Sequence, residues 1–220
     1  MVCLSRGRNP AEPERLDERR HQMIAAAERI FLSKGYHRAT MDDVAREACV
    51  SKKTIYQLVE SKEALFEALL ESRRALLRID LPDATCPPAD ALTGILTKLA
   101  DFILAPQQIA LLRLIMAEYA HSPDLARIFL RREHDRALST MEAYLASLNE
   151  RGICTLPEIA EAAKMLTGMA LGEFHSGVLL GKSAAPSRDA IKRRIAEAVQ
   201  IFLRGTAGPI PALAPSEGTG

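Results

Sequence analysis

Along most of the chain apolar residues return every three or four positions, with polar and charged residues between them, and β-branched residues rarely cluster. That spacing predicts an all-α protein of about nine helices. The first runs from Asp17 to Lys34, where Ile24, Ala27 and Phe31 share a face and Gly35 is a suitable stop. Thr40-Met41-Asp42-Asp43 reads as the capped start of a short helix with Met41, Val44, Ala45 and Ala48 on one side. Cys49-Val50 then turns the chain, and Ser51 caps a second short helix, Lys52 to Leu58, with Ile55 and Leu58 inward. Ser61 opens a longer helix through Leu65, Phe66, Leu69 and Leu76 toward Arg78.

The stretch from Leu81 to Asp90, rich in proline and aspartate, breaks this pattern and is the expected domain junction. Five more helices are expected beyond it, over 89–104, 107–120, 123–151, 157–180 and 188–204. Ser122-Pro123-Asp124 and Ser187-Arg188-Asp189 are favourable starts, and Gly152, Gly181 and Gly205 suitable stops. The expected organisation is a disordered arm over 1–16, a helix-turn-helix domain over 17–60, a connecting helix over 61–80, a larger helical domain over 81–205 and a disordered tail over 206–220.

Composition narrows the function class mainly by what it lacks. Of the 220 residues 48% are hydrophobic and 26% charged, with a net charge of +1, so global charge does not mark a nucleic-acid binder. The first 80 residues carry a surplus of only two cations, and any DNA contact must rest on locally placed ones. Cys3, Cys49, Cys86 and Cys154 are scattered without metal-binding or disulfide spacing, which fits a reducing cytoplasm. The N-terminus lacks a signal-peptide profile, and Met165 to Leu180, broken by Glu173 and His175, is too short to span a bilayer. No hydrolase elbow, phosphate loop, dinucleotide glycine run or zinc-protease motif is present, so an enzyme is the least favoured class, and neither cofactor nor metal is expected.

The two short helices and their tight turn have the arrangement of a helix-turn-helix. No acid occurs between Glu47 and Glu60, and the second helix offers Lys52, Lys53, Thr54, Tyr56 and Gln57 as donors. A two-turn helix fits the major groove, where side chains near its N-terminus reach base edges and phosphates, and Ser51 adds a helix N-terminus. In full, Arg20 to Leu70 resembles the DNA-binding domain of the TetR family. The resemblance is carried by Ala48-Cys49-Val50-Ser51, by Lys52-Lys53-Thr54-Ile55-Tyr56 and by Ser61-Lys62-Glu63. It implies phosphate contacts from Thr40, Tyr56 and Lys62, and groove-facing Lys52, Lys53, Thr54 and Gln57. Three positions depart from the family pattern: Cys49 stands for the turn glycine, Lys53 for a small residue, and Val59 for an aromatic.

One short helix touches few bases, so a two-fold dimer on a palindromic operator is expected. The last two helices provide apolar stripes for it, Ile159, Ala163, Leu166, Ala170 and Ile191, Ile195, Ala198, Phe202, with Gly168 and Gly172 suited to close helix approach. Family architecture places a cavity for a small, largely apolar effector among the middle helices. Phe102, Met116, Tyr119, Met165, Met169 and Phe174 are candidate lining residues, and Arg113 and His175 candidate polar contacts beside Glu118, His121, His134 and Glu173. The segment Arg113 to Phe129 resembles the C-terminal domain of a TetR subgroup associated with efflux regulation. A redox-responsive regulator acting through Cys49 is the alternative.

Overall fold

The computed structural model describes residues 12–83, 85–133, 137–182 and 185–208, with side chains described from residue 16 and outside 131–138. Ten helices and no strand occur among them. They are α1 (Glu12–Lys34), α2 (Met41–Glu47), α3 (Lys52–Leu58), α4 (Lys62–Arg74), α5 (Pro88–Ile103), α6 (Pro106–Glu118), α7 (Pro123–Glu133), α8 (Ala137–Glu150), α9 (Ile159–Leu179) and α10 (Arg188–Thr206). The described parts of the expected helix over 123–151 are α7 and α8, and His134 lies outside the described residues between them. α1 begins before Asp17, so residues 12–16 are helix rather than a disordered arm. The rest of that arm, and the tail beyond residue 208, lie outside the described residues.

Contacts divide the chain differently from the linear expectation. One unit joins the chain up to Leu76 with Ala110–Phe129, and the other joins Leu77–Ile109 with the chain from Leu130. The core of the first unit shows why. Met23, Ala26, Ala27, Ile30 and Phe31 of α1 pack with Val44, Ile55, Leu65, Phe66 and Leu69, and also with Leu111, Leu114 and Ile115 of α6 and Leu125 of α7. Hydrophobic burial depends on facing stripes and not on sequence distance, so most of α6 joins the N-terminal helices. Phe31, Tyr36 and Phe66 form an aromatic cluster with ring centroids 5.2–6.1 Å apart. α4 ends at Arg74 rather than Arg78, and Leu76, expected to face inward, is exposed.

The second unit is built from α5, α8, α9 and α10. Leu92, Ile95 and Leu96 of α5, Met141, Tyr144, Leu145 and Leu148 of α8, Ala163, Leu166 and Ala170 of α9, and Ile195, Ala198 and Val199 of α10 form its core. Ser187 caps α10 by accepting from the Ala190 N–H. Gly205, an expected stop, lies inside α10, whose last residue Thr206 accepts at its carbonyl from the Thr155 N–H at 2.8 Å. No single helix among the described residues is long and apolar enough to cross a membrane.

Candidate nucleic-acid interface

Each short helix is fixed by its own cap. The Thr40 hydroxyl accepts from the Asp43 N–H while the Asp43 carboxylate accepts from the Thr40 N–H, a reciprocal capping box that starts α2. The Lys34 ammonium first, with the Thr40 hydroxyl and N–H, holds the Asp43 carboxyl down at about 2. Ser51 accepts from the Thr54 N–H at 3.1 Å and shares a 2.8 Å hydrogen bond with the Thr54 hydroxyl, which starts α3. Between the caps, Cys49 adopts φ +54, the left-handed conformation natural to glycine, and Val50 donates to the Ala45 carbonyl at 3.0 Å. The turn geometry therefore survives the cysteine, at a backbone cost.

Ile55 and Val59 are buried, which leaves the other side of α3 in solvent. Lys52, Lys53, Gln57 and, at 48% exposure, Tyr56 are exposed, as are Ser51 and Thr40; Thr54 is half-buried. The first turn of α3 holds no acid. A carboxylate nevertheless reaches it from α2: Asp42 pairs with Lys52, the Nζ lying 2.8 Å from Oδ1. Linear spacing hid this partner because it lies ten residues away on another helix.

Lys62 is not available as a phosphate contact in this structure. Its Nζ donates to the carbonyls of Tyr36 (3.1 Å), His37 (3.4 Å) and Ala39 (3.1 Å), and it sits 4.4 Å from the Tyr36 ring centroid. An ammonium has three N–H groups, and all three find acceptors. Backbone carbonyls leave no trace in a residue pattern, so no signal could have found this clamp. The same turn is held from the other side by Glu118 of α6, which accepts from the His37 N–H at 3.2 Å. Gly35, at φ +82, lets that carboxylate close in, since a Cβ there would stand 2.5 Å from Glu118 Oε1.

The residues expected to form the dimer interface are instead the inside of the second unit. Ala163, Leu166, Ala170, Ile195, Ala198 and Phe202 are buried within one chain, and Ile159 and Ile191 pack against the same core. An apolar stripe on a helix satisfies the nearest facing stripe, which here is intrachain. The outer face of α9 and α10 carries other residues. Met165 is 62% exposed, Ile201 54%, and Met169 is exposed beside Gly168 and Gly172, where nothing lies within 4 Å of an added Cβ. Met169, Arg194, Glu197, Ala198 and Ile201 line an open recess of about 290 Å³ on this face.

The expected effector lining is corrected at the same positions. Met165 and Met169 face outward, and Met116 and Arg113 of α6, with Tyr119 just after it, are exposed in the first unit. Phe102, Phe174 and His175 are half-buried in the second unit; Arg194 lies 5.4 Å from the Phe174 ring, and burial pushes the His175 imidazole below its usual value. One residue was missed. Tyr144 is 1% exposed and its hydroxyl has no partner among the described atoms. A tyrosine at an apolar helical position gives no sign in the sequence that its hydroxyl will be buried without a partner. Among the described residues no cluster of His, Cys, Asp and Glu could hold a metal, and Cys49, Cys86 and Cys154 are free thiols.

A capped pair of short helices around a left-handed turn, with a polar outward second helix, defines a helix-turn-helix protein. Residues 23–69 match the family described as bacterial regulatory proteins, tetR family, and residues 90–205 match the AefR-like transcriptional repressor C-terminal domain. The chain belongs to the TetR family of transcription regulators. It is similar to the HTH-type transcriptional activator FasR of Mycolicibacterium smegmatis, 47% identical over 55 residues, a quarter of each chain. That quarter is also about the share of length matched in the HTH-type regulator HbdR of Aromatoleum. The solved structure of the flavonoid-responsive regulator FrrA is similar at a TM-score of 0.74 and 26% identity, covering 86% of this chain and 97% of that one. A TetR-family regulator from Mesorhizobium loti is similar at 0.70 and 25%, with the same coverage.

Proposed function

We propose that the chain is a ligand-responsive transcriptional repressor that binds a palindromic operator as a homodimer and is released by a small, largely apolar effector. The observation that carries the reading is the outward face of α3, where Lys53, Tyr56 and Gln57 stand in solvent on a helix whose first turn has no acid. Such a face supplies donors for base edges and phosphates. Thr40 and Ser51 start the two helices by capping and are themselves exposed, while Thr54, whose N–H and hydroxyl meet Ser51, is half-buried.

Two copies are required for useful specificity, and the open face of Met165, Met169, Gly168, Gly172 and Ile201 is the surface we assign to the partner copy. The second unit is the effector domain, with the buried Tyr144 hydroxyl as its polar anchor, because a donor without a partner costs free energy that a ligand acceptor would recover. A ligand that favours a dimer with differently spaced recognition helices shifts the population away from DNA, and near-complete release needs roughly 10⁴-fold differential affinity. The name of FrrA makes flavonoids the first effector class to try.

Selection of bound fragments from genomic DNA, followed by anisotropy titration of the recovered operator, tests this. Saturable, salt-sensitive binding of one dimer per palindrome is expected, and replacement of Gln57 should cost about 1–3 kcal/mol at particular base pairs. Absence of any enriched sequence would remove the reading.

A further inference from the structure

The two lysines that open α3 stand in different electrical surroundings. Lys53 is exposed, and no carboxylate among the described residues pairs with it. The Lys52 ammonium sits astride the Asp42 carboxylate, 2.8 Å from Oδ1 and 3.1 Å from Oδ2. Asp42 lies in the first turn of α2 but has no part in its cap, which is made by Asp43 with Thr40. Asp43 in turn is occupied by Lys34 and Arg46. Both members of the Lys52 pair are more than half exposed, at 57% and 55%, so the pair adds little to folding. What it changes is the charge presented by the outward face.

We propose that Asp42 is a specificity-determining residue, whose carboxylate withholds Lys52 from sequence-indifferent phosphate binding and yields it only when α3 is seated at its own site. The inference rests on the reading of α3 as the groove helix. Sequence-indifferent affinity comes from protein cations that displace counterions, each adding about 0.9 to the slope of log affinity against log salt. A lysine already neutralised by a carboxylate displaces none. If it leaves for a phosphate, Asp42 is left unpaired beside a polyanion, which cancels the gain. In the seated complex a guanine edge offers Lys52 two directed acceptors, O6 and N7, that a loose complex does not. The cost of breaking the pair therefore falls mainly on loose complexes, which is discrimination against wrong partners.

Full-length Asp42→Asn, Lys52→Gln, the double variant and Lys53→Gln are titrated against a random-sequence duplex and against the selected operator over a salt series, with thermal melting confirming that each is folded. On the random duplex Asp42→Asn should bind several-fold more tightly with a slope steeper by about 0.9, the double variant should match the parent, and Lys52→Gln, which leaves the Asp42 carboxylate unpaired beside the polyanion, should bind no more tightly than the parent. On the operator the gain from Asp42→Asn should be smaller. Lys53→Gln should flatten the slope by about 0.9 in any background; if it does not, α3 does not meet phosphates and the underlying reading fails. If Lys53→Gln flattens the slope but Asp42→Asn leaves it unchanged, the inference alone is overturned. It is likewise overturned if the double variant flattens the slope on the random duplex as much as Lys53→Gln, or if Asp42→Asn gains equally on both duplexes.

Discussion

At the scale of single residues, two positions carry measurable costs. Cys49 holds a left-handed φ of +54, which a Cβ disfavours and glycine accepts freely. Cys49→Gly should raise stability by about 0.5–1 kcal/mol, read as a higher Tm, with unchanged operator affinity. A lower Tm would mean that the cysteine side chain makes contacts worth more than the strain. Tyr36 is buried, and burial first, then the Glu63 carboxylate, push its phenol above the ordinary value. The folded state thus favours the neutral phenol. Its contribution is complete below the unfolded value of about 10 and is lost as pH rises beyond it. Tyr36→Phe should flatten the alkaline limb of a stability profile above about pH 10, and an unchanged limb would place that titration elsewhere.

At the scale of elements, α2 and α3 were legible because their determinants are local: Thr40 with Asp43, and Ser51 with Thr54, are signals within four residues. What holds those elements to their neighbours was not. Lys62 at the start of α4 closes the turn after α1 through three carbonyls, and Arg73 of α4 pairs with Glu28 of α1. Lys62→Gln should lower unfolding free energy by about 2 kcal/mol and leave the salt dependence of DNA binding unchanged. A flattened salt slope at full stability would restore the phosphate contact that the family resemblance implies.

At the scale of the whole molecule, the same helices present two apolar stripes, and burial separates them. Leu166 is fully buried inside the second unit, whereas Met165 and Ile201 stand in solvent. Met165→Glu combined with Ile201→Glu should give a monomer by sedimentation that no longer binds the operator, since two charges would have to be desolvated at the interface. Leu166→Ala should cost about 2–5 kcal/mol of stability yet leave the dimer assembled. A monomer from Leu166→Ala at intact stability would return the interface to the buried stripe.

The sequence by itself determined the all-α class, the ends of most helices and the helix-turn-helix, because caps, glycines and the helical period act through neighbours along the chain. Only the tertiary structure decided which stripe is core and which is open, that Asp42 neutralises Lys52, that Lys62 is a clamp, and that α6 joins the first unit. The reason is physical. Hydrophobic burial and ion pairing are indifferent to chain separation, so a residue's partner is fixed only when distant helices have been brought to the same place.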